Sequence, residues 1–288
     1  MARKEIVTLG HSPDPDDAFM FFALARERID TRGWKFEHIL QDIQTLNERA
    51  TRGELAISAV SIHAYAYVLD RYALLPCGAS MGDGYGPMLI VNSGVEFPKV
   101  DVAIREWLKG KVIAVPGLMT SAYLALQLYL CKNFTHVVVP FDEIFDAVKT
   151  GKADVGLIIH EGQLTYQNEG FAKVVDLGEW WKADTGLPLP LGGNVVRKDF
   201  TVAERSELNV VLRESIEYGL RHRADGVSHS MPLARGMDEG LADKFIGMYV
   251  NDFTLDYGDI GRRAIREFLG RAHAAGLIPS LVELEFVE

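Results

Sequence analysis

Short apolar runs rich in β-branched residues alternate with helix-like patterns through the first 200 residues of the chain. This alternation is typical of α/β proteins, because two parallel strands need a long crossover connection that is usually a helix. The strand-like runs cover residues 6–9, 36–40, 56–60, 88–91, 112–115, 136–139, 155–159 and 174–176. The helix-like segments cover residues 15–26, 43–52, 61–68, 101–107, 121–131, 141–150 and 163–167.

The last third of the chain has a different pattern. After Thr201 we find no strand signal, and three amphipathic segments follow at 203–221, 241–250 and 260–275. Gly276 stands where a helix commonly ends on a left-handed residue. We therefore predict a helical C-terminal part.

Two segments share one design, in which a helix passes through a glycine into a short strand and then a polar break. "NERATRGELAISAVSIHAYAY" reaches Ser61 in this way, and "FDAVKTGKADVGLIIHEGQLTY" reaches His160. The repeat predicts two α/β lobes that present strand ends to a ligand cleft between them. With crossovers near 92–99 and 188–194, the larger lobe comprises residues 1–93 plus 197–288, and the inserted lobe comprises 94–196.

Composition excludes several kinds of partner. The formal net charge of -10 and the lack of a basic stripe disfavour nucleic acid and anionic membranes. Cys77 and Cys131 have no zinc-like spacing, and we expect two buried thiols. The first residues, "MARKEIVTLG", lack a secretory signal pattern, and no run reaches the roughly 18 apolar residues of a membrane span. We expect a cytoplasmic protein.

The strand at 155–159 runs directly into His160 and Glu161. Ligands of open α/β sheets bind at the carboxyl ends of strands, where His160 lies. A histidine beside a helix start could remain neutral and act as a base near pH 7. The alternative is a histidine that only hydrogen-bonds its own loop.

Hydroxyl side chains follow two other predicted strands. Thr120 and Ser121 open an apolar helix after a Pro-Gly turn, and Ser61 repeats the arrangement before a helix that it would cap. Such positions bind carboxylate or phosphate groups, although each is also an ordinary helix cap.

The segment "GHSPDPDDAFMFFALA" follows the first strand. Asp14 as N-cap, Pro15 at the first helical position and Asp17 three residues after the cap predict a helix start. Ser12, just beyond the strand, is a candidate ligand contact. The eight histidines include no HExxH, and the acidic loop lacks the glycine and glutamate of a calcium site, so we expect no metal.

The chain resembles the 1,4-dihydroxy-6-naphthoate synthases of the futalosine route to menaquinone. The resemblance is carried by "TLNERATRGELAISAVSIHAYA", "AVPGLMTSAYLAL", "LIIHEGQLTY" and "VVDLGEWWKADTGLPLPLGG", in this order over nearly the whole chain. In the family's usual form the segment after the first strand reads Ser-Pro-Cys-Pro-Asn-Asp. Here Asp14 and Asp16 replace the cysteine and the asparagine.

The resemblance implies a two-lobed type II periplasmic-binding-protein-like fold. It also implies a lyase that cleaves cyclic dehypoxanthine futalosine, a small anionic substrate, without a metal or organic cofactor. The family's catalytic histidine falls on His160, which we expect to be the general base, and its ligand-holding hydroxyls fall on Ser61, Thr120 and Ser121.

Two other functions fit the same fold. One is chorismate dehydratase of the same pathway, against which the His160-Glu161 strand end argues. The other is a non-enzymatic solute-binding protein of a transporter, for which we expect an export signal. Fold alone does not distinguish these functions, because function depends on the site.

Overall fold

A computed structural model describes residues 6–132 and 134–288. The strands are β1 (Ile6–His11), β2 (Lys35–Leu40), β3 (Ile57–Ser61), β4 (Tyr72–Leu74), β5 (Ser80–Gly82), β6 (Met88–Asn92), β7 (Val112–Val115), β8 (Thr135–Val138), β9 (Val155–Ile158), β10 (Phe171–Asp176) and β11 (Leu189–Arg197).

The α-helices are α1 (Pro15–Met20), α2 (Phe22–Ala25), α3 (Ile43–Thr51), α4 (Ile62–Tyr65), α5 (Asp101–Lys109), α6 (Ser121–Leu130), α7 (Ile144–Lys149), α8 (Gly162–Thr165), α9 (Leu177–Thr185), α10 (Val202–Arg221), α11 (Arg223–Ser230), α12 (Glu239–Tyr249), α13 (Asp252–Leu255) and α14 (Gly258–Ala274). Two 3-10 segments span Phe141–Glu143 and Met231–Leu233.

The chain forms two compact units, and the first is built on a six-stranded sheet. This unit contains the residues up to Met81, Leu191–Arg262 and Glu283–Glu288. Its strands lie in the order β2-β1-β3-β11-β4, with β5 paired to β11. Strands β2, β1 and β3 are parallel, and β11 is antiparallel to β3. The carboxyl ends of β1 and β3 therefore lie side by side.

The core of the first unit forms where helices cover this sheet. Val7 and Leu9 are fully buried and pack in one cluster with Phe19 of α1 and with Leu208 and Leu212 of α10. On the other face of β1, a side chain at Gly10 would collide with Leu46 of α3. The sheet is therefore covered on both faces, as expected for parallel strands.

The second unit contains Gly82–Pro190 and Arg263–Val282. Its sheet has the order β10-β6-β9-β7-β8, with β7 parallel to β8 and β9 and with β6 antiparallel to β9 and β10. Helix α7 covers this sheet through Ile144 and Val148, which share a buried cluster with Ile90 and Ile158.

The structure confirms all eight strand predictions in position, with end differences of a few residues. Strands β4 and β5 were missed because each has only three residues. Strand β11 was missed because its Pro and Gly residues indicated an extended crossover, whereas residues 192–196 pair with β3. The three predicted C-terminal helices are confirmed, and Gly276 has the expected positive φ of 63°.

The unit boundaries differ from the expected ones at 93/94 and 196/197. Strand β6 was placed in the first lobe, but it hydrogen-bonds with β9 and β10 of the second unit. The chain divides after Met81 and after Pro190, and Arg263–Val282 joins the second unit. Strand pairing, which a local pattern does not contain, fixes these boundaries.

Two side-chain expectations have clear outcomes. Cys77 is buried as predicted, whereas Cys131 is exposed because it is the left-handed C-cap of α6. Trp181 of α9 is fully buried and donates its indole N–H to Pro188 O at 3.1 Å. None of the helices within the described residues is both long and apolar enough to cross a membrane.

Candidate functional site

The carboxyl edge of the first unit's sheet brings Ser12 and Ser61 to neighbouring strand ends. β1 pairs with β3 through Leu9 opposite Ile57 and Gly10 opposite Ser58. Ser12 immediately follows β1, and Ser61 is the last residue of β3. Both side chains are at least nine-tenths buried. The two hydroxyls that the sequence singled out in this unit thus belong to one edge.

Asn47 of α3 fixes the hydrogen bonding of Ser61. The Ser61 backbone N–H donates to Asn47 Oδ1 at 2.8 Å, and Asn47 Nδ2 donates to Ser61 Oγ at 3.0 Å. The expectation that the Ser61 hydroxyl caps the next helix is wrong, since its side chain makes no cap hydrogen bond to α4. The oxygen is already an acceptor for Asn47.

A second polar network surrounds Ser12. Its hydroxyl donates to Asp14 Oδ2, and its backbone N–H donates to Asp17 Oδ2 at 2.6 Å. Arg235 Nη1 binds Asp14 Oδ1 at 2.6 Å, and Nη2 of the same guanidinium donates to Pro13 O at 3.2 Å. The loop after β1 is therefore tied to a residue more than two hundred positions later in the chain.

The predicted helix start at Asp14 is correct in position and wrong in mechanism. Asp14 occupies the N-cap and Pro15 the first helical position, yet the Asp14 side chain makes no cap hydrogen bond. Its carboxylate instead serves Ser12 and Arg235. The expected single helix over 15–26 is divided at Phe21 into α1 and α2.

His11 ends β1 at the same edge and contacts His38 of β2, and neither histidine was singled out from the sequence. His11 Nδ1 lies 3.1 Å from Ser12 O, and His11 Nε2 lies 3.0 Å from His38 Nδ1. Burial, and next the nearby His38, lower the pKa of His11 to about 4. A neutral His11 must donate from Nδ1 to the carbonyl, so its Nε2 accepts the N–H of His38.

In the second unit, β7 and β9 are parallel neighbours, with Ala114 opposite Gly156. Their carboxyl ends therefore lie at one edge of that sheet. β7 leads through a turn to Thr120 and Ser121, and β9 leads to His160. The structure thus brings the three predicted site residues of this unit to one edge.

His160 adopts a backbone conformation that is uncommon for a residue with a side chain. Its φ is 59°, in the left-handed region, two residues after the end of β9. The half-buried imidazole meets the edge of Phe141 with ring centroids 4.8 Å apart. The His160 carbonyl accepts from Gln163 N at 3.1 Å, and Glu161 is the N-cap of α8. Left-handed non-glycine residues cost about 1–2 kcal/mol and concentrate at functional sites.

Thr120 and Ser121 begin α6 as predicted. The Thr120 hydroxyl donates to Gly117 O at 2.9 Å and accepts the Tyr123 N–H at 3.1 Å. The capping interpretation therefore holds for Thr120. Ser121, the first residue of the helix, is 3 % exposed.

Asp176 is a buried acid at the same edge as His160. It ends β10 opposite Met88, which is itself opposite Ile158 of β9. One oxygen, Oδ1, accepts the N–H groups of Gly178 and Glu179, whereas Oδ2 has no hydrogen-bond partner within the described residues. Burial raises the pKa of Asp176 to about 6.

No sequence pattern pointed to Arg235 or Phe141, because neither lies near a site residue along the chain. Asn47 had a weak signal, as an amide among the apolar positions of a predicted helix. Within residues 6–132 and 134–288, no group of three or more His, Cys, Asp or Glu side chains is arranged to hold a metal ion.

Comparison with curated proteins finds two relatives over nearly the full length. The chain is 38 % identical over 282 residues to a 1,4-dihydroxy-6-naphthoate synthase of Streptomyces coelicolor, covering 96 % of each chain. It is 37 % identical over 273 residues to the synthase of Thermus thermophilus, covering 95 % of this chain and 96 % of the relative.

Solved structures support the fold. A structural-genomics protein of Archaeoglobus fulgidus has a TM-score of 0.88 and 40 % identity, with 95 % of this chain and 98 % of that one covered. An alkanesulfonate-binding protein of Xanthomonas axonopodis pv. citri has a TM-score of 0.70 at 14 % identity, with coverage of 98 % and 97 %. The predicted periplasmic-binding-protein-like fold is therefore confirmed. Residues 7–274 match the menaquinone biosynthesis family, and the chain belongs to that family.

Proposed function

We propose that this chain is a 1,4-dihydroxy-6-naphthoate synthase, a lyase that releases 1,4-dihydroxy-6-naphthoate from cyclic dehypoxanthine futalosine in the cytoplasm. The observation that carries this proposal is the similarity to two curated synthases over nearly the full length of all three chains. The family match in menaquinone biosynthesis agrees with it.

In this proposal His160 is the general base. A turn residue at the carboxyl end of a buried strand places an imidazole where ligands of such sheets bind. The left-handed φ of 59° and the edge contact with Phe141 hold the ring against a defined neighbour. A positioned base of this kind contributes about 10²–10⁴ to a rate.

The chemistry requires a proton acceptor and a well-held substrate. His160 removes a hydroxyl proton from the sugar-derived part, and that carbon becomes a carbonyl as the adjacent carbon-carbon bond breaks in a retro-aldol sense. The electron pair of the broken bond moves into the ring system, which takes up a proton from the imidazolium. The naphthalene ring then becomes aromatic, which provides the driving force. The protein supplies position and proton transfer.

The polar strand ends supply the binding groups. Helix α6 has ten residues and begins at Ser121, so its first backbone N–H groups suit a carboxylate oxygen. Ser61 and Ser12 provide hydroxyl oxygens at the edge of the first sheet. Thr120 serves in this scheme as the cap that forms the α6 terminus, because its own hydroxyl is already bonded to Gly117 and Tyr123.

The test is to incubate the purified chain with cyclic dehypoxanthine futalosine and to follow dihydroxynaphthoate by mass spectrometry, with and without a chelator. We expect product under both conditions. Parallel reactions with chorismate test the dehydratase alternative.

In the same assay, His160→Ala tests the proposed base. Its control is His273→Ala, since His273 is an exposed histidine near the end of α14. Dehydration of chorismate without cleavage of the nucleoside would identify the sister activity. Binding of the nucleoside without turnover would favour a solute-binding role.

A further inference from the structure

Two buried serines at one sheet edge keep different hydrogen-bonding capacities, because Ser61 retains its donor proton and Ser12 does not. Ser61 accepts the amide N–H of Asn47 and makes no donor hydrogen bond within the described residues. Ser12 donates to Asp14 and accepts none there. Each hydroxyl has one donor proton and acceptor lone pairs, so the part that the protein uses determines what a ligand can still take.

The orientation of Asn47 follows from the backbone. The N–H of Ser61 can only donate, so the carbonyl oxygen of the Asn47 amide must face it at 2.8 Å. The amide nitrogen then faces Ser61 Oγ at 3.0 Å and can only donate to it. The hydroxyl proton of Ser61 is therefore directed away from Asn47.

The orientation of Ser12 follows from a carboxylate. Arg235 binds Asp14 Oδ1 at 2.6 Å, and the other oxygen, Oδ2, takes the Ser12 hydroxyl proton. An ionised carboxylate only accepts, so Ser12 must donate to it. The Ser12 backbone N–H is also occupied, by Asp17 at 2.6 Å.

We propose that Asn47 and Asp14 are specificity-determining positioning residues, which make Ser61 a hydrogen-bond donor and Ser12 an acceptor toward the substrate. The group bound at Ser61 is then a carboxylate or carbonyl oxygen, and the group bound at Ser12 is a hydroxyl. This inference rests on the proposed function, because the substrate carries both kinds of group.

Two isosteric substitutions invert the hydrogen-bonding roles of the two serine hydroxyls. In Asn47→Asp, a carboxylate oxygen replaces the amide nitrogen, so Ser61 must donate to it and keeps only acceptor capacity. In Asp14→Asn, Arg235 takes the amide oxygen, and the amide nitrogen faces Ser12 and donates to it. Each change leaves the number of heavy atoms the same.

The measurement is steady-state turnover of cyclic dehypoxanthine futalosine, with KM and kcat determined separately. We expect KM to rise about tenfold or more in each variant, the size of one lost hydrogen bond to a charged or buried group. Gln44→Glu is the matched control for Asn47→Asp, since it adds the same charge to α3 and Gln44 pairs with Glu48 on the exposed side.

Two features separate this mechanism from charge or folding effects. Asp14→Asn removes a negative charge, and this change alone should lower KM for an anionic substrate. The inverted Ser12 hydroxyl should instead raise KM. In a Ser61→Ala background, the effect of Asn47→Asp on KM should shrink to about threefold or less, because the hydroxyl through which it acts is gone.

If Asn47→Asp changes KM by the same factor with and without the Ser61 hydroxyl, the assignment of Asn47 is overturned. An unchanged or lower KM for Asp14→Asn overturns the assignment of Asp14. If Asn47→Asp fails to fold, by circular dichroism, the Asp14→Asn comparison decides the outcome. No turnover by the unaltered chain is a different result, since it rejects the proposed function itself.

Discussion

The carboxyl edges of the two sheets are built differently. In the first unit, the polar residues at the ends of β1 and β3 are fixed by side-chain pairs, Ser61 with Asn47 and Asp14 with Arg235. In the second unit, the strand end after β9 places His160 in a left-handed turn against an aromatic ring.

In the proposed function, the two edges have different tasks. Fixed hydrogen-bond networks hold a ligand in one orientation, whereas a base must be able to exchange a proton with it. In the proposed function, the first edge supplies fixed hydrogen-bonding groups, and the second edge supplies the base.

The largest expected effect concerns the second edge. His160→Ala should lower kcat by about 10³, because a general base contributes 10²–10⁴ to the rate. Substrate KM should change little, since the ligand-holding groups remain. Turnover assayed by mass spectrometry, with His273→Ala as the control, checks this. Full activity of His160→Ala would show that the second edge does not supply the base.

The next effect concerns the first edge. The pKa of His11 is lowered to about 4 in the folded chain, against 6.5 for the free side chain. At pH values between these two, the unfolded chain therefore binds one more proton than the folded chain. Stability should therefore be complete above pH 6.5 and fall by about 3 kcal/mol as the pH falls toward 4.

Urea unfolding across this pH range measures the effect. His11→Gln should flatten the dependence, and the exposed-site change His273→Gln should leave it as it is. The same slope in His11→Gln as in the unaltered chain would contradict the assignment to His11.

A third effect, of similar size and opposite sign, belongs to the second edge. The pKa of Asp176 is raised to about 6 by burial, against 3.8 for the free side chain, so the folded chain binds the additional proton. This contribution to stability should be largest below about pH 4 and decrease by about 3 kcal/mol as the pH rises through 6.

Asp176→Asn should remove this dependence while its side-chain oxygen continues to cap α9. The control is Asp142→Asn, which alters an exposed carboxylate in the same unit. Unfolding free energies at several pH values test the prediction, which fails if the two variants behave alike.

The smallest effect tests strain at His160. Glycine adopts a positive φ without the clash of a Cβ atom, so His160→Gly should be about 1 kcal/mol more stable than His160→Ala. Thermal unfolding compares the two variants, both of which lack the imidazole. Equal stability would show that the turn is not strained.

The sequence predicted the repeated helix-strand design correctly, because apolar periodicity and glycine positions are local signals. It placed His160, Ser61, Thr120 and Ser121 at strand ends and helix starts, where the structure has them. It misjudged the roles of the Ser61 and Asp14 side chains as caps, since a preferred cap residue can bind a distant partner instead.

The α/β class, the order of most elements and the family resemblance could all be predicted from the amino-acid sequence. Those depend on residue spacing over a few turns or strands. The folded chain was needed to show that Asn47 faces Ser61, that Arg235 binds Asp14 and that β6 belongs to the second unit. Those facts depend on strand pairing and on contacts between residues far apart in the chain, which no local pattern contains.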